Sequence, residues 1–185
     1  YAYIGEVQKM HETWDISASP RDSLSKGAID TFRTYRAVDA IDYILEAAKG
    51  EQIVIINEGH HMPQHRVFTT RLLEGLQQQG FKHLGLETYY AFYKNDSMLQ
   101  VIGFAHAFEG NLGGQWEKAM AGRLEEYTGI NPLTINQTDY SERSQRIFER
   151  SQYKVTDVEQ PTVYSKAENQ PITITRNEGG FDLAV

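Results

Sequence analysis

Apolar positions change period several times along the chain, and each change marks an element. Ala37, Val38, Ile41, Ile44, Leu45 and Ala48 recur at helical spacing up to Lys49-Gly50, where glycine past the last apolar position stops a helix. Ile53-Val54-Ile55-Ile56 follows. It is β-branched, apolar on both faces and too short for a buried helix, so it predicts a buried parallel strand. Phe68, Leu72, Leu73 and Leu76 mark a second amphipathic helix closed by Gly80, and residues 81–87 read as the next strand. Strand, helix, strand at this spacing is a βαβ unit, whose default is a right-handed crossover in a parallel sheet. Residues 101–105 form a third short apolar stretch. Trp116, Ala119, Met120, Leu124 and Tyr127 make a third helix stopped at Gly129, and residues 133–135 a fourth strand. Residues 1–36 are mixed and polar, without a clear period.

From Gln152 onward the pattern shifts to short β-like pieces, 162–164 and 172–174, punctuated by Pro161, Pro171 and Gly179-Gly180. The expected architecture is α/β: a mostly parallel sheet flanked by helices, with a small β-rich C-terminal segment. Its expected organisation is an α/β catalytic-type domain over residues 1–151, with residues 152–185 as a β-rich appendage packed on the same domain. One join is short. Only thirteen residues separate Glu87 from Val101, about the minimum for a parallel crossover, and Tyr89 to Ser97 carries no helical period. A segment of chain is therefore expected to be absent between Met98 and Val101.

Composition narrows the function classes. The chain has 185 residues, 40% of them hydrophobic and 23% charged, with a net charge of -7. That length fits a domain with a real core, and no Lys/Arg stripe suggests a nucleic-acid partner. No apolar run reaches the roughly 18 residues of a membrane helix. With no cysteine, thiolate chemistry and Cys-based zinc sites are excluded. The start Tyr1-Ala2-Tyr3, without Met, is read as a hint of a trimmed, exported chain, periplasmic or lipoprotein-like.

The chemistry concentrates where strands end. Ile56-Asn57-Glu58-Gly59-His60-His61-Met62-Pro63-Gln64-His65 carries a buried strand directly into an acid and three imidazoles. In open α/β sheets, ligands bind outside the carboxyl ends of strands. Glu87 closes the second strand and His106 follows the third, so three strands each deliver an ionisable group to one edge. Two acids in one cleft push their pKa values apart, which suits acid–base work. Glu58, His60, His61, Glu87 and His106 are the candidate catalytic residues. His65 and Arg66 read as a solvated helix start, Glu109 as a solvated loop acid, and Asn177 to Asp182 as turn chemistry. No phosphate loop, dinucleotide fingerprint, Gly-x-Ser-x-Gly elbow or His-Glu-x-x-His is present. Water activated by an acid–His pair or a metal is the simpler chemistry.

The stretch from Glu51 to Glu87 resembles the superfamily that joins erythromycin esterases, ChaN-like haem-binding lipoproteins and Tiki/TraB proteins. Its first motif is a strand followed by Gly-Glu-x-His or Gly-Glu-x-x-His, then a helix and a strand ending in Glu. Here it stands as Asn57-Glu58-Gly59-His60-His61, with Leu86-Glu87 closing the next strand and Gly103-Phe104-Ala105-His106 as the late His motif. Asn57 stands where the motif has Gly, and the doubled His leaves either His60 or His61 as the match. Esterase-like members activate water with an acid–His pair, Tiki-like members resemble metal-dependent peptidases, and ChaN-like members bind haem.

The resemblance therefore implies a hydrolase, of esterase or metal-dependent peptidase type, acting on a small molecule or peptide. A metal-dependent version would use Glu58, His61 (or His60), Glu87 and His106 as ligands for zinc, manganese or cobalt. The alternative is a haem- or metal-binding protein without hydrolytic activity, its haem held by a His or Tyr axial ligand.

Overall fold

The computed structural model describes residues 1–85, 102–103, 107–110, 118–156, 158–166, 170–172, 174–176 and 179–185. Its centre is the predicted strand. β2 (Val54–Glu58) lies between β3 (Ile102–Gly103) and β4 (Leu133–Asn136), and β8 (Leu183–Ala184) extends the far side. The order β3-β2-β4-β8 is parallel throughout, with Ile55 opposite Thr134, Glu58 opposite Gly103 and Ile135 opposite Leu183. The fold is α/β, a parallel sheet flanked by helices.

Side chains alternate across this sheet with period two, and each face feeds its own cluster. Val54, Ile56, Leu133, Ile135 and Leu183 pack with Ile44, Phe68, Leu72 and Leu76 from α3 (Ala40–Ala47) and α4 (Pro63–Gln78). Ile55 points the other way, to Phe108, Ala119, Phe181 and Ala121 of α5 (Met120–Thr128). This two-sided burial is why residues 53–56 read as a continuous apolar run.

Local chemistry sets the helix ends. Asp39 caps α3 by accepting from Ile41 N and Asp42 N. Pro63 opens α4, where its missing N–H costs nothing, and Gly129 ends α5 at φ 70°.

The structure departs from the sequence pattern in three places and bears out the β-rich C-terminal segment. Ala37 and Val38 belong to β1 (Arg36–Asp39), which pairs antiparallel with β5 (Thr162–Ser165); the helix begins only after the Asp39 cap. Residues 81–85 carry no strand. The N-terminal region holds α1 (Val7–Trp14) and α2 (Lys26–Phe32). The C-terminal stretch holds β6 (Ile174–Arg176) and β7 (Gly179–Phe181) as a hairpin, and then β8, which enters the main sheet beside β4. The join between Met98 and Val101 lies outside the described residues, and among the described ones no helix is long and apolar enough to cross a membrane.

Candidate functional site

Asn57 ties the carboxyl ends of β2 and β4 together. Its side chain is fully buried. Its carbonyl accepts from Gln137 N at 2.7 Å and its amide donates to Asn136 Oδ1 at 3.3 Å, while Gln137 Nε2 returns to Asn57 O at 2.6 Å. Two strand ends are thereby held in one polar lattice. The motif's usual glycine has no side chain to do this.

One residue on, Glu58 presents its carboxylate at the rim with its side chain 3% exposed. Arg66 Nη2 donates to Glu58 Oε1 at 3.0 Å and to His60 O at 3.1 Å, and His60 Nδ1 lies 3.3 Å from the same carboxylate oxygen. Arg66 reaches back from the first turn of α4, so it clamps both the acid and the loop carrying the histidine. Its side chain is 48% exposed, so it remains a solvated residue of the helix start while it makes these contacts. Glu58 Oε2 is buried and has no hydrogen-bond partner among the described residues, an exposed cost in a low-dielectric site.

The three imidazoles have three different environments. His65 is buried and fully engaged: Nδ1 accepts from Gly59 N–H at 2.9 Å, which places its proton on Nε2, 3.2 Å from Ser141 Oγ. The Ser141 hydroxyl donates in turn to the carbonyls of Gln137 and Thr138. Burial, with His61 and Arg66 nearby, pushes His65 down to about 4. His65 is thus a neutral brace between the β2–α4 loop and the chain leaving β4, not a solvated residue. Gly59 makes room for this tight return, since a Cβ there would stand 3.2 Å from both the His61 ring and Met62.

His61 stacks on Trp14 of α1, ring centroids 3.7 Å apart and planes 14° from parallel. Burial, then the charges of His11 and Arg143, push it down to about 4. His60 is the open one, with its side chain 58% exposed. Of the two adjacent histidines, His60 is the one joined to Glu58.

The N-terminal helix closes the site from above. Arg143 Nε donates to Asp15 Oδ1 at 2.6 Å, and Ser144 N and Oγ each donate to Oδ2 at 2.8 Å. Burial would raise the Asp15 carboxyl, but the Arg143 and Ser144 donors outweigh it and hold it below its ordinary value. Glu58, His60 and His61, with Trp14, Thr13 and Arg143 facing them, line a cavity of about 760 Å³.

Of the five candidate residues, Glu58, His60 and His61 share this cavity; Glu87 and His106 lie outside the described residues. Gly103, three positions before His106, stands opposite Glu58 in the sheet. Among the described residues no three His, Asp or Glu side chains gather as a metal site, and Glu58 and His60 would supply two ligands of the four-residue set.

Glu109 is half-buried and paired rather than a free loop acid. It sits on the other face of β4, where Thr134 Oγ1 lies 2.6 Å from Glu109 Oε1 and 3.2 Å from Asp182 Oδ2. Burial and the Asp182 carboxylate, partly offset by Thr134, push Glu109 up to about 7.

The reading of residues 1–36 as patternless overlooked Val7, Met10, His11 and Trp14, spaced i, i+3, i+4, i+7, and so missed Trp14 and the Asp15 latch. Ser141 and Arg143 could have been found by following the chain beyond β4, as was done beyond β2. Against this geometry, comparison with known protein families, with characterised proteins and with solved structures gives no match.

Proposed function

We propose that the chain is a hydrolase of the erythromycin esterase-like or Tiki type, in which the Glu58–His60 pair activates water. The observation that carries this reading is the 3.3 Å contact between His60 Nδ1 and a carboxylate oxygen already held by Arg66. An imidazole that gives its Nδ1–H to a buried carboxylate has its tautomer fixed and keeps Nε2 as the acceptor. His65 has both nitrogens engaged, and His61 is stacked against Trp14, so His60 is the ring suited to serve as base.

In this mechanism His60 Nε2 takes a proton from water as the water oxygen attacks the carbonyl carbon of an ester or amide. The tetrahedral intermediate then collapses, the bond to the leaving group breaks, and the imidazolium returns the proton to the departing oxygen or nitrogen. Glu58 orients the ring and offsets the imidazolium charge; Arg66 orients Glu58.

The test is a panel of uncharged p-nitrophenyl esters with the wild-type protein and Glu58→Gln. Glu58→Gln keeps the His60 base but removes the carboxylate that orients it, which predicts a drop of up to roughly 10⁴-fold in kcat. A folded wild-type protein inactive across esters and peptide amides would remove the reading.

One observation favours a second reading, a divalent metal or haem bound without hydrolysis. Glu58 Oε2 is a buried acceptor with no donor among the described residues, and a cation would satisfy it. Glu58 and a neighbouring His fit an oxygen–nitrogen ligand set for zinc, manganese or cobalt, with Glu87 and His106 completing it. Elemental analysis of protein purified without chelator or affinity-tag metal tests the metal, and a Soret band on haem titration tests the haem.

A further inference from the structure

A second cavity of about 360 Å³ adjoins the first, and Met62, His65, Ser141 and Glu142 line both. Its volume falls in the range of small-molecule pockets. Its innermost lining is apolar: Met62, Phe32, Phe68 and Ala184 are buried there, with Tyr164, Ile172 and Val185 half-buried around them. The chamber lies at the carboxyl ends of β4 and β8, where Gln137, Ala184 and Val185 line it.

Its polar lining is mostly neutral, with amides and hydroxyls such as Gln64, Gln152, Gln160 and Thr156, and its charged lining groups are both acids. Glu142 and Glu159, both exposed, stand at its mouth, and among the described lining residues there is no Lys or Arg. His65 has no positive charge to offer near neutral pH, since burial pushes it to about 4. Burial also raises the Tyr140 and Tyr153 hydroxyls above their ordinary value, so both stay neutral donors. An anionic ligand would meet two carboxylates and, among the described lining residues, no cation, whereas an uncharged chain would exchange water for aromatic and aliphatic walls.

We propose that this chamber takes the uncharged apolar chain of an ester or amide substrate, whose carbonyl lies in the adjoining cavity at the Glu58–His60 pair. The assignment of the carbonyl rests on the hydrolase reading above; the preference for an uncharged apolar chain rests on the chamber alone.

The experiment has a binding arm and a turnover arm. In the first, butanamide, hexanamide, octanamide and octanoate are titrated calorimetrically into the wild-type protein. Affinity is expected to rise about fourfold per added methylene, the fold-change equivalent to ~0.8 kcal/mol, with octanoate at least about tenfold weaker than octanamide. Ile172→Trp, which fills the chamber, should weaken octanamide by at least about tenfold. Gln160→Phe at the rim serves the same purpose if the first variant does not fold. Binding independent of chain length, or octanoate binding as tightly as octanamide, overturns the proposal.

In the second arm, p-nitrophenyl octanoate should be turned over with a lower KM than the acetate, and the filling variant should lose that advantage while keeping its acetate rate. If no ester is hydrolysed yet the amides bind as described, the hydrolase reading fails and the chamber's specificity stands. If the acetate is hydrolysed and chain length has no effect on KM or binding, the reverse holds.

Discussion

The indole of Trp14 lies face to face with the His61 imidazole, 3.7 Å between centroids. A residue from the N-terminal helix therefore forms a wall of a site that otherwise belongs to the ends of β2 and β4. The stack also separates two neighbouring histidines chemically, leaving His61 depressed and desolvated and His60 open to the cavity.

Removing the indole tests that separation. Trp14→Ala should let water reach the His61 ring and move its pKa from about 4 part of the way back toward 6.5. The return is partial because His11 and Arg143 still lie nearby. Titration of the His61 ring proton by NMR reads this directly; a value unmoved by the substitution would mean that Trp14 does not contribute to the burial.

Asn57→Gly should destabilise the protein. The substitution leaves the buried Gln137 N–H without its acceptor, a loss of about 1–3 kcal/mol, while Asn136 Oδ1 keeps the donors of Thr138 and Asp139. Denaturant unfolding measures it. An unchanged midpoint would show that the lattice between the strand ends is energetically neutral.

The Glu109–Thr134–Asp182 cluster predicts a pH dependence on the opposite face of the sheet. In the folded chain Glu109 holds its proton up to about 7, against 4.5 unfolded. Between these values the native state binds more protons at this site, so the contribution of Glu109 is fully present below about 4.5 and is lost as pH rises through about 7. His61 and His65 act in the other direction: depressed to about 4 from 6.5, they favour folding above 6.5 and lose that contribution as pH falls toward 4. Thermal unfolding between pH 6.5 and 8 should thus show a falling Tm that Glu109→Gln abolishes, because the amide donates to Asp182 at every pH. A decline of the same size in the variant would remove Glu109 as its source.

The parallel sheet and the rim at the end of β2 were legible because one pattern, a doubly apolar run entering an acid and histidines, encodes both burial and location. Arg66, His65 and Asn57 were not. A cation at the start of a helix looks the same in sequence whether it only faces water or also reaches back eight residues to Glu58, and only the tight turn at Gly59 decides between these. β8 escaped for a different reason. Two residues, Leu183 and Ala184, carry no period of their own, and their strand pairing is imposed by β4 alongside. Glu109 was misread because its partners Thr134 and Asp182 are far away in the chain, and distant polar pairing leaves no local signal.

Side-by-side kcat measurements on His60→Gln and His61→Gln with an uncharged p-nitrophenyl ester test the assignment of the base most directly. If Glu58 presents His60 to water, the His60 variant falls by roughly 10²- to 10⁴-fold with its Tm held, while the His61 variant keeps most of its rate. The reverse pattern, with His61 indispensable and His60 dispensable, contradicts it.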